Sequence, residues 1–135
     1  MCSSDLPAIS QSRIDKVKLE KKLKADEIDT IIEKTKARGA EIVSLFGKGS
    51  AYYAPSAAVF KMVKAVAEDR NEILPCSCFL NGEYGIKDIY LGVPAKIGKS
   101  GVNEIVEVEL SEEEKGLLKQ AADSVASQIK SLRLA

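Results

Sequence analysis

The fold class of this chain can be inferred from the stretch Ile89-Tyr90-Leu91-Gly92-Val93-Pro94-Ala95-Lys96-Ile97. Its apolar side chains at odd-numbered positions alternate with Tyr, Gly, Pro and Lys at even-numbered ones. Because successive side chains of a strand point to opposite faces of a sheet, this alternation predicts a strand with one buried face. Proline has no amide hydrogen to give to a neighbouring strand, so we expect Pro94 at a sheet edge or a bulge.

Two flanking segments predict the partners of this strand. Residues 72–80 have a β-like composition, and the following Asn81-Gly82 is a dipeptide typical of tight turns. After a second turn at residues 98–101, the segment 106–110 alternates Val, Val and Leu with two glutamates. This alternation is typical of a strand with one face in water. The three segments therefore predict an antiparallel meander.

Apolar residues at three- and four-residue spacing predict two helices ahead of the sheet. The first is expected over about residues 25–46, with Gly47 as its stop. For the second helix, Ser50 is a candidate N-cap, the start lies close to Tyr52, and the end lies near residue 69. Pro55 is then tolerated in the first turn. The expected buried stripe of this helix consists of Ala58, Val59, Met62, Val63 and Val66.

The last predicted element is a helix that follows Ser111. Ser111 and Glu114 have the spacing of a capping box, in which each side chain bonds the backbone amide of the other residue. Apolar residues of this helix are Leu117, Leu118, Ala121, Ala122, Val125, Ala126 and Ile129. The order helix, helix, three strands, helix predicts an α+β fold.

The composition restricts the possible functions. A length of 135 residues suits one domain. Twenty basic residues balance twenty acidic ones, so neither nucleic acid nor an anionic membrane is an expected partner. With no apolar run of about 20 residues and no signal peptide, we expect a soluble, cytoplasmic protein. The chain has no histidine, the side chain best suited to proton transfer near neutral pH.

Three local patterns allow a chemical as well as a structural interpretation. Cys76 and Cys78 share one face of a strand, which permits a common metal or redox role. A zinc site needs about four ligands, and the chain has neither histidine nor a second close Cys pair, so small apolar side chains are the favoured interpretation. Residues 47–50 resemble an anion-binding loop, but the full nucleotide-binding spacing is absent. The mixed charges of residues 13–38 indicate a solvated surface rather than a nucleic-acid interface.

Several strings along the chain resemble, in order, the C-terminal domain of the lactate/malate dehydrogenase family. These strings occupy residues 38–43, 49–59, 74–77, 81–85, 88–90, 92–94 and 110–114. The resemblance covers residues 7–135 with the spacing of the family. Within the family it favours the malate-type enzymes that are built like lactate dehydrogenases, because lactate enzymes usually carry a threonine where this chain has Ala51.

The resemblance implies that the complete enzyme is an NAD-dependent homodimer or homotetramer that interconverts malate and oxaloacetate by hydride transfer. Family members carry the dinucleotide-binding domain, the proton-transfer histidine and the substrate-binding arginines upstream of the region matched here. Residues 7–135 are then an incomplete C-terminal substrate and oligomerisation domain, and the N-terminal dinucleotide-binding domain is absent. We therefore expect no catalytic residue and no metal site in this chain, no NAD binding by it, and no activity.

The resemblance also places three residues close to the reaction site of the complete enzyme. Ser50 and Ala51 are expected to form part of the wall of the substrate pocket, and Pro55 is expected to lie against the nicotinamide ring. None of the three supplies a proton, a charge or a nucleophile. Their local interpretations as a helix cap, a filler and a first-turn proline are compatible with these roles.

Residues 1–6 fit no part of the family pattern. They stand where a Gly-His-Gly-Asp motif should end, and Cys-Ser-Ser-Asp-Leu is what one frame of a common short-read sequencing adapter encodes. We therefore expect this segment to be non-native. Two alternative functions remain open: a lactate or other 2-hydroxy-acid dehydrogenase, and a stand-alone interaction module that reuses the dimer-forming helices of the domain.

Overall fold

The computed structural model describes residues 8–132 and has the predicted α+β architecture. Its helices are α1 (Ala25–Phe46), α2 (Tyr53–Ala67) and α3 (Glu112–Ser131), and its strands are β1 (Arg13–Ile14), β2 (Val17–Lys18), β3 (Glu72–Asn81), β4 (Lys87–Gly98) and β5 (Gly101–Ile105). Short 3-10 turns lie at Ile9–Gln11, Leu19–Lys21 and Glu83–Gly85. The segment predicted to be non-native, residues 1–6, lies outside the described residues.

The main sheet has one buried face, as the alternation in residues 89–97 predicts. Strand β4 lies between β3 and β5, with Cys76 opposite Val93 and Gly98 opposite Gly101. The apolar residues of β4 are at most 8% exposed, whereas Tyr90 on the other face is 61% exposed. Ala65 of α2 and Leu118 of α3 complete the core on the buried face. The three-stranded meander is therefore confirmed.

The third strand lies earlier in the chain than the sequence analysis predicts. Strand β5 ends at Ile105, so the alternating residues 106–110 lie outside the ladder. The ladder starts directly at the tight turn that pairs Gly98 with Gly101, and its last pair is Ala95 with Ile105. The next position of β4 is Pro94, which has no amide hydrogen with which to continue the pairing. The prediction of a strand over residues 106–110 is therefore wrong.

Pro94 itself lies in the central strand, neither in an edge strand nor at the bulge of the β4–β5 ladder. The Val106 amide donates to the Pro94 carbonyl at 2.9 Å, but proline cannot return this bond. The Tyr84 hydroxyl takes its place, because it donates to the Val106 carbonyl at 3.0 Å. The same hydroxyl accepts the Val108 amide at 3.1 Å. A side chain from the β3–β4 connection thus satisfies the polar group that proline leaves unpaired.

The bounds of the first two helices agree with the predictions, but the burial of α2 does not. Gly47, at φ 72°, follows the last residue of α1, and Pro55 lies in the first turn of α2. Of the predicted buried stripe, only Met62 packs against the core, while Val59 and Val63 are 60% and 59% exposed. Ala58 and Val66 are exposed as well. The reason is that α2 faces the sheet through Ala65, whose small side chain is 0% exposed.

The mixed charges of residues 13–38 predict a solvated surface, and the part of this segment ahead of α1 contains a small structure of its own. Strands β1 and β2 form a two-residue hairpin ladder, in which Arg13 pairs with Lys18. Behind it, Leu19 and Ile28 are 8% and 9% exposed. The turn Leu19–Lys21 packs against the start of α1, and the Leu19 carbonyl accepts the Leu23 amide at 3.0 Å.

A polar cluster at Gly98 connects the end of α2 to the β4–β5 hairpin. Asp69 Oδ1 accepts the Lys99 amide at 2.8 Å, and Asn103 Nδ2 donates to Asn71 Oδ1 at 2.7 Å. A Cβ atom at Gly98 would lie 2.6 Å from Asn103 Nδ2 and 2.8 Å from Asp69 Oδ1. The cluster therefore depends on the absence of a side chain at this position.

We expect Gly98→Ala to lower the free energy of unfolding by about 1–3 kcal/mol, because the added methyl group displaces these polar side chains. Urea denaturation followed by circular dichroism measures the loss. Gly116→Ala is the matched control, because a Cβ there meets nothing within 4 Å. Inside helix α3 this control is expected to be neutral or to stabilise by up to about 1 kcal/mol. Equal losses in the two variants would contradict the steric explanation.

Candidate functional site

The candidate site lies in the α1–α2 loop, which we define as residues 47–52. Gly47 and Gly49 have φ angles of 72° and 99°, which a residue with a side chain rarely adopts. The two glycines lie in the turn between the helices, and Ser50 and Ala51 follow them. Ser50 is exposed and Ala51 is half-buried. Pro55 follows in the first turn of α2 and is exposed.

Aromatic rings hold this loop between the two helices. A Cβ at Gly49 would overlap the Tyr52 hydroxyl, so the Tyr52 ring lies across the glycine. The Phe46 ring centroid lies 6.3 Å from that of Tyr52 and 6.1 Å from that of Tyr53. Tyr52 and Tyr53 remain 55% and 77% exposed. The rings thus fix the path of the loop while one side of it stays open to solvent.

Ser50 does not cap helix α2, which corrects the prediction made from its residue type. The N-cap is Tyr52, which has a φ of 26° and makes no side-chain capping bond. The polar contact in the first turn comes from inside the helix, where the Ser56 hydroxyl donates to the Tyr52 carbonyl at 2.6 Å. Ser50 lies too far ahead of the helix for this role, because Ala51 and Tyr52 intervene.

The chemistry that the three predicted site residues offer is limited to shape and weak polar contact. Ser50 offers one hydroxyl, and Ala51 and Pro55 offer apolar surface; none of them is a proton-transfer group at neutral pH. Among residues 8–132 there is no cluster of three or more His, Cys, Asp or Glu side chains that could hold a metal ion. The loop can therefore form one side of a site whose reactive groups come from elsewhere.

The two neighbouring cysteines of β3 have the environment of packing residues. Cys78 is 4% exposed and belongs to the core, and Cys76 is half-buried against it. Burial, together with the adjacent Cys76, raises the pKa of the Cys78 thiol to about 11. A thiol with a raised pKa is a poor nucleophile and a poor metal ligand at neutral pH. These features favour the apolar interpretation of the pair.

A separate cleft of about 560 Å³ lies between α1 and the start of α3. Its apolar lining includes Ile9, Ile28 and Leu117. At one end of the cleft, the carboxylate of Glu114 accepts the Ser10 amide at 2.9 Å and the Ser111 amide at 2.8 Å. Burial acts to raise the pKa of Glu114, but the hydrogen bonds from Ser10 and Ser111 outweigh it and lower the pKa.

The capping box of α3 was predictable, but the contact with Ser10 was not. The Glu114 amide donates to the Ser111 hydroxyl at 3.2 Å, which confirms the capping box. Ser10 is 104 positions away from Glu114 in the chain, so no local pattern connects the two residues.

Within the described residues, none of the helices is both long and apolar enough to cross a lipid bilayer. A pair of helices, an antiparallel meander and a packed C-terminal helix define an α+β domain whose candidate site is an open loop. The chain belongs to the lactate/malate dehydrogenase family, because the model of the alpha/beta C-terminal domain of that family matches residues 2–133.

Individual relatives agree with this assignment. The malate dehydrogenase of Roseiflexus sp. (strain RS-1) is 48% identical over 108 residues, which are 80% of this chain and 35% of that protein. The malate dehydrogenase of Bacillus israeli is 42% identical over 127 residues, which are 94% of this chain and 41% of that protein. The chain thus spans 35% to 41% of the length of these relatives.

Solved structures of both enzyme types share the fold. The malate dehydrogenase of Salinibacter ruber superposes with a TM-score of 0.89 at 39% identity, over 95% of this chain and 42% of that one. A lactate dehydrogenase of Cryptosporidium parvum, solved with lactic acid and nicotinamide adenine dinucleotide, gives a TM-score of 0.89 at 36% identity, over 96% of this chain and 42% of that one. The fold alone therefore does not separate malate from lactate enzymes.

Proposed function

We propose that this chain is the C-terminal, substrate-side part of an NAD-dependent malate dehydrogenase, which interconverts malate and oxaloacetate by hydride transfer. The observation that carries the proposal is the 42% identity to a malate dehydrogenase over 94% of the chain. Among the solved structures the identities are close, at 39% for the Salinibacter ruber malate dehydrogenase and 36% for the Cryptosporidium parvum lactate dehydrogenase, so they do not carry this choice. Ala51, in place of the threonine usual in lactate enzymes, supports the same choice.

In this proposal Ser50 and Ala51 form part of the wall of the substrate pocket, and Pro55 lies against the nicotinamide ring of NAD. Their placement supports it, because all three lie in the α1–α2 loop or the adjoining turn and keep exposed surface. Pro55 is uncharged and exposed, so its apolar surface suits one face of a nicotinamide ring, and the three residues do not enclose that ring. NAD supplies the hydride acceptor when bound, and this chain contributes shape and the exclusion of water on one side.

The proton-transfer histidine and the remaining NAD-binding groups are supplied, in this proposal, by sequence upstream of the family match. The absence of histidine from all 135 residues supports this division. The chain alone then binds NADH negligibly and is inactive.

A complete cytoplasmic enzyme would be a homodimer or homotetramer. The exposed apolar residues Val59, Phe60 and Val63 of α2 support a subunit or domain contact on this helix.

The test is a chimera in which the 127 aligned residues of this chain replace their counterparts in the Bacillus israeli malate dehydrogenase. We expect the chimera to oxidise NADH with oxaloacetate, with kcat/KM about 100-fold or more above that for pyruvate, because pocket shape and charge discriminate the two substrates. The chain of 135 residues is expected to give neither turnover nor a saturable increase in NADH fluorescence.

The parent enzyme from Bacillus israeli is the positive control for the assay. If the chimera preferred pyruvate to oxaloacetate, the proposed function would change from a malate dehydrogenase to a lactate dehydrogenase. A chimera that has the circular dichroism and thermal unfolding of a folded protein, yet turns over neither substrate, would contradict the dehydrogenase assignment. Saturable NADH binding by the isolated chain would contradict its predicted inertness.

A further inference from the structure

A buried carboxylate joins the N-terminal segment of the described chain to the first turn of α3. Glu114, in the first turn of α3, is 8% exposed. Its Oε1 accepts the Ser10 amide at 2.9 Å, while its Oε2 accepts the Ser111 amide at 2.8 Å and the Ser10 hydroxyl at 2.5 Å. The capping box accounts only for the bond from Ser111. The two bonds from Ser10 are additional and attach a remote segment to the helix.

These bonds are strong for a physical reason. A buried carboxylate is costly unless donors satisfy its oxygens, and here both oxygens are satisfied by backbone or hydroxyl groups. Hydrogen bonds to an ionised acceptor are about twice as strong as neutral ones. The net effect lowers the pKa of Glu114, so the carboxylate is ionised at neutral pH and holds Ser10 in place.

The attachment extends beyond Ser10 itself. The Gln11 side-chain amide donates to the Glu109 carbonyl, on the segment that leads into α3. The Ser12 carbonyl accepts the Leu19 amide at 3.0 Å, and the Leu19 carbonyl accepts the Leu23 amide at 3.0 Å. A continuous series of bonds thus runs from Glu114 through residues 10–12 to the start of α1.

We propose that Glu114 is a positioning residue that fixes residues 8–12 against α3 and so sets the direction in which the chain enters this domain. This inference rests on the proposed function, in which the proton-transfer histidine lies shortly before the segment that residues 7–14 match. Glu114 touches neither substrate nor cofactor in this role. Glu114 holds residues 8–12, which belong to the connection between the histidine and the substrate-pocket wall. It thereby sets the distance between the histidine and that wall.

Hydrogen exchange on the chain itself tests the anchoring step without any assumption about activity. We expect Glu114→Gln to accelerate exchange of the Ser10, Ser12 and Leu19 amides by about tenfold or more, because the charged acceptor is lost at constant side-chain volume. Ser111→Ala is the matched control, because it weakens the cap of the same helix and leaves the carboxylate of Glu114 in contact with Ser10. Equal acceleration in both variants, or none in Glu114→Gln, would overturn the proposal.

The chimera tests the consequence for the reaction. With active sites counted by NADH titration, we expect Glu114→Gln to lower kcat for oxaloacetate about tenfold or more while KM for NADH stays within about twofold, because a displaced acid/base slows chemistry rather than cofactor binding. Ser111→Ala is expected to keep kcat, which separates positioning from general loss of stability. Full kcat in the Glu114→Gln chimera would refute the positioning role.

The two proposals fail in different ways. An inactive chimera with Glu114 intact would contradict the proposed function, and the exchange experiment would still decide whether Glu114 anchors residues 8–12. An active chimera that is indifferent to Glu114→Gln would keep the proposed function and remove the positioning role. Glu114→Ala, which removes every acceptor and side-chain volume as well, is expected to give larger effects in both experiments.

Discussion

The Leu80→Ala variant is expected to lose about 3–5 kcal/mol of its free energy of unfolding, because it opens a cavity in the best-packed part of the core. Leu80 is 0% exposed and is the largest fully buried side chain among the described residues. It lies on β3 opposite Ile89 of β4, and Leu118 and Ala121 of α3 belong to the same core cluster. The strand pairing holds the sheet in place, so the residues around the cavity can fill only part of the volume that the missing methyl groups leave.

Leu45→Ala is the matched control for this cavity effect, because it removes the same atoms from a side chain that is 81% exposed. Its expected change is within about 0.5 kcal/mol. Urea denaturation of both variants, followed by circular dichroism, gives the comparison. A loss below about 1 kcal/mol for Leu80→Ala would mean that β3 and α3 are not held together as the structure describes.

The largest functional effect is expected from Ala51→Thr in the chimera. We expect the ratio of kcat/KM for oxaloacetate to that for pyruvate to fall by about 10- to 100-fold, because a change of one or two heavy atoms in a pocket wall carries discrimination of this size. The loop geometry supports the effect, since Tyr52, which directly follows Ala51, has a φ of 26° and its ring lies across Gly49 and near Phe46.

Ala57→Thr is the control for this experiment, because it makes the same change at an exposed position within α2. It is expected to leave the substrate ratio unchanged, although it lowers helix propensity slightly. Steady-state rates with both substrates at saturating NADH provide the measurement. If Ala51→Thr and Ala57→Thr changed the ratio equally, Ala51 would not belong to the substrate-pocket wall.

The α1 and α2 bounds, the meander and the capping box of α3 could all be predicted from the sequence. Each depends on residues close in the chain, such as the spacing of the isoleucines from Ile28, the glycine that ends α1, and the pair Ser111 and Glu114. Local conformational preferences and periodicity act over these short distances, so they are readable without knowing the fold. The position of the α1–α2 loop followed from the predicted helix bounds, with Gly47 as the stop of α1, and the resemblance to a family supplied its expected place near the reaction site.

Other features could not be predicted, because they depend on which elements meet. The end of β5 depends on Pro94 in the neighbouring strand, and the hydroxyl of Tyr84 comes from a third segment. The alternation of residues 106–110 was therefore misleading. Likewise, the apolar stripe of α2 predicted the helix correctly, but it did not predict that the small Ala65 would face the sheet.

The sequence alone established the class of fold, the family resemblance and the position of the α1–α2 loop, because these follow from patterns within short segments. The tertiary structure alone showed the contact of Glu114 with Ser10 and the open side of the loop. Residues 104 positions apart have no local signal for each other. Their contact exists only after the helices and the sheet have packed, when burial makes an ionised carboxylate require every donor within reach.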